Sequence, residues 1–111
     1  MVMTSSSSRI LRKLPRENAF YFFTSIGNYT GESASSLKAF LKKIKEIEDK
    51  SLEFHLYRGD FERWMAGTLE DEELAKKIQD LKAMNPVGDT LRDQLCFIVS
   101  KRYEKLKKST K

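Results

Sequence analysis

From Ser35 onward the hydrophobic positions recur at the helical period. Leu37, Phe40, Leu41, Ile44 and Ile47 form one apolar stripe, Lys38, Lys42, Lys45 and Glu46 the wet face, and Ser35 or Ser36 an N-cap. Glu70 to Met84 repeats the pattern, with acids in its first turn and Leu74, Ile78 and Leu81 facing inward. Asn85-Pro86-Val87-Gly88 breaks it. Asp89 or Thr90 then opens a last helix running to Lys108, with Leu91, Leu95, Ile98, Val99 and Leu106 on its apolar side.

Between these, Leu52 to Arg58 alternates in a way that also suits a strand. A short helix is favoured, because Gly59 is a natural C-terminal stop and Asp60 a natural N-cap for the next helix. Phe61 to Ala66 makes that further helix, with Phe61, Trp64 and Met65 inward. Upstream, residues 19–31 read as an extended aromatic segment and loop, since Gly27, Asn28 and Gly31 are turn residues and a lone strand has no ladder partner. Met1 to Ser8 reads as a disordered leader, and Arg9 to Arg16 as a short basic helix or arm stopped by Pro15. The expected fold is all-α: a small bundle of four to five helices with an extended aromatic N-terminal segment. Its parts are a flexible basic leader (1–16), a helical domain (17–100) and a basic helical tail (101–111).

Length and composition change this picture little. One hundred and eleven residues, 40% hydrophobic and 33% charged, suit one globular domain. The apolar runs Ala19–Phe23 and Leu95–Val99 fall far short of the roughly 20 residues of a spanning helix. Serines stand where a signal peptide would be apolar, and Cys96 is the only cysteine, so a reducing, cytoplasmic setting is expected.

Charge changes it more. Arg9, Arg12, Lys13 and Arg16 stand in the first 16 residues with no acid among them. Lys101, Arg102, Lys105, Lys107, Lys108 and Lys111 stand in the last 11 against Glu104 alone. Between Glu17 and Ser100, 11 Lys/Arg face 15 Asp/Glu, so an acidic body of net −4 carries two basic ends. Basic ends on an acidic body can grip a polyanion locally through sequence-independent, salt-sensitive phosphate contacts. A solvated, solubilising tail is the plainer alternative.

Catalytic signals are weak. His55, the single histidine, lies close to Arg58 and Asp60, and a His–Asp pair at a cleft could move protons. Packing beside Leu52 and Leu56 with a bond to Asp60 or the backbone is the favoured role. One His, one Cys and scattered carboxylates lack metal-ligand spacing, and the glycines form no phosphate loop, so no metal, cofactor or small-molecule substrate is inferred. Glu70 to Glu73 fit a solvated first helical turn. Phe20 to Phe23 and Tyr29 could stack bases, but without interleaved basic residues they read as core.

Three stretches carry a resemblance: Ala19-Phe20-Tyr21-Phe22-Phe23-Thr24-Ser25-Ile26-Gly27-Asn28-Tyr29-Thr30-Gly31 with Ser36-Leu37, Ser51 to Phe61 with Trp64, and Asp71-Glu72-Glu73-Leu74-Ala75. They resemble a family of small archaeal proteins of unknown function over residues 17–80, with the leader and the basic tail outside. The resemblance implies an archaeal, cytoplasmic, helical protein and brings no catalytic residues with it. Glu70 stands where it leads one to expect a glycine. His55, Arg58, Asp60 and Trp64 form its most specific block, either a fold-defining turn capped by Asp60 or a recognition surface.

The function expected first is a non-enzymatic accessory protein for nucleic acid or a nucleoprotein complex, such as a DNA polymerase or ribosome. Arg9, Arg12, Lys13, Arg16, Lys101, Arg102, Lys105, Lys107 and Lys108 are its candidate phosphate contacts. The alternative is a protein–protein adaptor using the acidic body or the aromatic loop. An enzyme centred on His55 ranks third, and no membrane partner is expected.

Overall fold

The computed structural model describes residues 2–109; Met1, Thr110 and Lys111, at the ends of the expected leader and tail, lie outside the described residues. In chain order come helix α1 (Val2–Leu11), a 3-10 turn (Arg16–Asn18), strands β1 (Phe20–Ser25) and β2 (Asn28–Ala34), and helices α2 (Leu37–Glu46) and α3 (Asp49–Arg58). Helix α4 (Asp60–Arg63), a π-helical turn (Trp64–Thr68), α5 (Glu72–Ala83) and α6 (Gly88–Ser109) complete it. The all-α expectation is therefore corrected: among the described residues there are six α-helices and an antiparallel two-stranded sheet.

The aromatic run does have a ladder partner. Phe20 pairs with Ala34, Tyr21 with Ser33, Phe23 with Tyr29 and Ser25 with Asn28. β2 is polar and irregular, so no alternation of apolar positions gives it away. Gly27, at φ +79°, supplies the left-handed second position of the two-residue turn. At the bulge beside Gly31, the Thr30 hydroxyl donates to the Phe22 carbonyl (2.7 Å) and accepts the Glu32 amide (3.1 Å), mending the ladder with a side chain.

The hairpin turns Phe20 and Phe22 into the core, where they meet α2, α4 and the π-turn. Phe20 lies 5.7 Å from Phe40, 5.2 Å from Phe61 and 5.5 Å from Trp64, between ring centroids. Such ring pairs are worth about 0.5–1.5 kcal/mol each beyond the area they bury. Trp64 Nε1 donates to the Asn18 carbonyl at 2.9 Å, pinning the 3-10 turn over this cluster. On α2, Ser36 is the N-cap, its hydroxyl accepting the Ala39 amide, and Leu37, Phe40 and Ile44 are fully buried. The long α6 presents Leu91, Leu95, Val99 and Leu106 to α1, α2, α3 and α5, making it the spine of the molecule.

The N-terminal segment also differs from expectation. The chain is helical from Val2, and α1 packs on α6 with Ser7 and Ile10 buried. The Leu14 amide donates to the Ser35 carbonyl at 2.7 Å, and the Leu14 side chain is buried. A serine run is a poor helix former on its own. Burying Ile10 and Leu14, worth about 1.5–3 kcal/mol each, compensates for that.

Helices α3 and α4 meet at Gly59, whose φ of +79° is the left-handed stop of α3. An added Cβ there would lie 3.1 Å from Arg63 Nη1. Gly59→Ala is expected to cost about 1–2 kcal/mol, the left-handed penalty of an L-residue, read as a lowered midpoint in urea unfolding. An unchanged midpoint would show that the corner relaxes freely.

Candidate functional site

The corner after Gly59 organises the first candidate site. Asp60, expected as the N-cap of α4, is the first residue of that helix, with Gly59 in the cap position. Its carboxylate turns back instead: Oδ2 accepts from His55 Nδ1 (2.8 Å) and Arg58 Nε (3.1 Å), and Oδ1 from Arg63 Nη2. On the other side of the imidazole, the Phe23 amide donates to His55 Nε2 at 2.8 Å. A backbone N–H can only donate, so Nε2 is the acceptor and the proton sits on Nδ1, facing Asp60. His55 is 4% exposed, with its ring centroid 4.8 Å from that of Phe20, 5.0 Å from Phe54 and 5.7 Å from Phe61.

Burial pushes the His55 pKa down, and the Asp60 carboxylate offsets that only in part. For Asp60, burial pushes up, but the His55 and Arg58 donors outweigh it and hold the carboxyl below its usual range. The ring is thus a neutral bridge between strand β1 and the α3–α4 corner. Both nitrogens are engaged within the protein, which leaves none in this arrangement for a ligand.

A cleft of about 400 Å³ opens beside the corner, walled by Tyr21, Phe23, Phe54 and Trp64, with Arg58 and Asp60 on its lining and Ile26 at the hairpin turn. Arg58 lies 4.9 Å over the Phe54 ring centroid. So His55, Arg58, Asp60 and Trp64 do come together. The hairpin completes their surroundings. Among the described residues, no group of three or more His, Cys, Asp or Glu side chains is placed to hold a metal ion.

The second candidate site is where the two basic ends meet. Because α1 packs on α6, segments at opposite ends of the chain reach the same loop, 68–73. Arg12 donates to the Thr68 carbonyl at 2.9 Å, and Arg9 pairs with Glu70 at 2.7 Å. Arg102 grips both oxygens of Asp71, Nε to Oδ2 at 2.9 Å and Nη2 to Oδ1 at 3.1 Å, and reaches Glu73 at 3.2 Å. Lys105 closes on Glu73 at 3.5 Å.

The loop is shaped for this. The Leu69 amide bonds to the Trp64 carbonyl (3.0 Å) and the Asp71 amide to the Met65 carbonyl (2.8 Å), while Glu70 takes φ +65°, the conformation glycine adopts most cheaply. Asp71 Oδ1 also accepts the Leu74 amide at 3.1 Å as the N-cap of α5. The acids expected on a solvated first turn are in part counter-ions of the basic ends: Glu70, Asp71 and Glu73 are paired.

The nine candidate phosphate contacts therefore divide. Arg9, Arg102 and Lys105 have internal carboxylate partners, and Arg12 is held by backbone carbonyls. Lys107 lies 5.3 Å over the Tyr103 ring. Lys13, Lys101 and Lys108 are exposed and carry no ion pair among the described residues. Arg16 stands at the other side of the N-terminal segment, where its carbonyl accepts from the Tyr21 hydroxyl at 2.5 Å. Lys77 of α5 joins the set unforeseen: it shares a groove of about 390 Å³ with Lys101, Arg102, Lys105 and Lys108. Its place on the wet face of a separate helix gives no local hint of that.

Among the described residues no helix is long and apolar enough to cross a membrane. Neither the curated proteins nor the solved structures hold a match for the chain. A family model does match, and its span of residues 15–111 takes in the hairpin, the His55 corner, the 68–73 loop and the basic part of α6. The tail, expected to fall outside the resemblance, lies inside the match, while Arg9, Arg12 and Lys13 precede it. The chain belongs to the family of unknown function DUF5752.

Proposed function

We propose that the protein is a non-enzymatic accessory factor that binds nucleic acid, or a nucleoprotein complex such as a DNA polymerase or ribosome, through phosphate contacts at its joined basic ends. The supporting observation is the packing of α1 on α6, which brings the two terminal charge runs to one loop, 68–73. Loop acids neutralise the inner cations there. In the groove, which Glu73 and Glu104 also line, Lys77, Lys101 and Lys108 carry no ion pair among the described residues and are the contacts it offers phosphate, with Lys105 beside them; Lys13 is the exposed cation of the N-terminal end. An archaeal, cytoplasmic setting accords with the residues that carry the resemblance and with the lone, half-buried Cys96.

A second reading, a protein–protein adaptor, draws on the hairpin, where Ile26 and Tyr29 are exposed large hydrophobics.

Fluorescence anisotropy with duplex DNA, single-stranded DNA and RNA separates the two. Four phosphate contacts predict that affinity for duplex falls about a hundredfold between 50 and 200 mM salt. Lys105→Glu with Lys108→Glu, both at exposed positions, is expected to reduce the slope of log K against log salt by about 2. Flat curves with all three probes would overturn the phosphate reading and favour the adaptor.

A further inference from the structure

Helix α6 is polar along its outer face except at Phe97, which is 64% exposed. Met84, at the end of α5, is 67% exposed and lines the same groove with Leu81, Phe97 and Ile98; the groove measures about 480 Å³. An exposed phenylalanine beside an exposed methionine is a contact surface in search of apolar cover. The charges around it say what provides that cover.

Asp93, Phe97 and Lys101 are spaced four residues apart on α6. Each step advances about 6 Å along the axis with only about 40° of rotation, so the three make a nearly straight line. The acid lies one step to one side of Phe97 and the base one step to the other. Lys101 Nζ sits 5.7 Å from the Phe97 ring centroid, which confirms that base and ring share a face. Asp93 lines the groove with the ring.

Such a line is self-complementary. Rotating a second copy by a half-turn about an axis through Phe97 sets its Phe97 on the first, its Lys101 opposite Asp93 and its Asp93 opposite Lys101. A parallel arrangement would instead set Asp93 against Asp93 and Lys101 against Lys101, at a cost in repulsion. Leu81, Met84 and Ile98, which line the groove with Phe97, give the paired rings apolar surroundings, and Lys77 and Asp80 add charges of both signs to the lining.

We propose that the α5–α6 groove is a homodimer interface, in which two copies pair by antiparallel contact of their α6 helices through Phe97, with Asp93 and Lys101 forming reciprocal ion pairs. The test is separate from that of the phosphate reading, because it weighs the protein without any ligand, although the dimer would engage Lys101, which that reading gives to phosphate.

The test is sedimentation equilibrium of the full chain from about 1 to 500 μM, with circular dichroism as the check on folding. The wild type is expected to approach twice the monomer mass within that range. Phe97→Asp is expected to remain monomeric with an unchanged spectrum, since its side chain takes little part in the core. Lys101→Asp alone, which sets acid against acid twice over, is expected to raise Kd at least tenfold. Asp93→Lys combined with Lys101→Asp restores the complementarity and is expected to return Kd to within about threefold of the wild type. A monomer across the whole range, as would be found if the groove serves a different protein, overturns the proposal. So does a double swap that associates no better than the single reversal.

Discussion

Arg102→Leu is expected to remove about 3–5 kcal/mol of folding stability, the usual consequence of leaving one member of a buried ion pair alone. The Asp71 side chain is 1% exposed and that of Arg102 11%. The guanidinium meets the carboxylate with two parallel bonds, and the same carboxylate caps α5 through Leu74. Without Arg102 the carboxylate keeps one amide donor in a place water scarcely reaches. A domain of this size has about 5–15 kcal/mol in all, so the variant would melt at least about 12 °C lower. Arg102→Lys is expected to recover only part, because an ammonium cannot reproduce the fork. Lys108→Leu, at an exposed position, serves as the control and is expected to change stability by no more than about 0.5 kcal/mol. A loss below about 1 kcal/mol for Arg102→Leu would place the pair among ordinary surface salt bridges. The result also governs how the phosphate reading is tested. Arg102 belongs to the basic tail in the sequence, yet a binding defect on replacing it would report unfolding as readily as lost contact.

The contrast between Arg102 and Lys108 shows where the sequence is informative. Stripes of period 3.6 identify α2, α5 and α6 because each buries one face against the core, and Gly59 marks the end of α3 because a left-handed stop favours glycine. β2 escapes notice because its partner β1 supplies the apolar residues, and the Thr30 hydroxyl holds a ladder that no alternation reveals. α1 is anticipated only where it overlaps the short basic helix or arm expected from Arg9, because the support for the rest comes from α6, at the far end of the chain. The same division runs through the sites. His55 and Asp60 are five residues apart across a helix stop, so their pairing can be expected locally. The Phe23 amide that fixes the tautomer, the Asp71 carboxylate that holds Arg102, and Lys77 beside the tail are brought in by tertiary packing alone. Charge counted along the chain overstates the cationic surface, since the 68–73 loop neutralises part of it.

Between pH 7.5 and 5 the stability of the protein is expected to fall, and His55 is expected to be the cause. It is the only histidine, so no other side chain has an ordinary pKa in that interval. Its folded pKa lies below the unfolded value of about 6.5, because burial disfavours the imidazolium and the Asp60 contact only partly offsets this. The unfolded chain therefore binds a proton before the native one does. The stabilisation is complete above about pH 6.5 and is lost as pH falls toward the folded pKa, with a limiting slope near 1.4 kcal/mol per pH unit. Structurally, a second proton on the ring would turn Nε2 into a donor facing the Phe23 amide, also a donor, and the link between β1 and the α3–α4 corner would open. His55→Gln offers an acceptor for the Phe23 amide and does not titrate. It is expected to cost about 1–2 kcal/mol at pH 7.5 through the lost bond to Asp60 and poorer packing, while flattening the dependence between pH 7.5 and 5. His55→Ala removes both bonds and leaves a cavity beneath Phe20 and Phe61, so a larger loss of about 3 kcal/mol or more is expected. Urea titrations of the three proteins at half-unit pH steps measure this directly. A wild-type slope that survives in His55→Gln would assign the pH response to other groups and remove His55 from its place as the bridge.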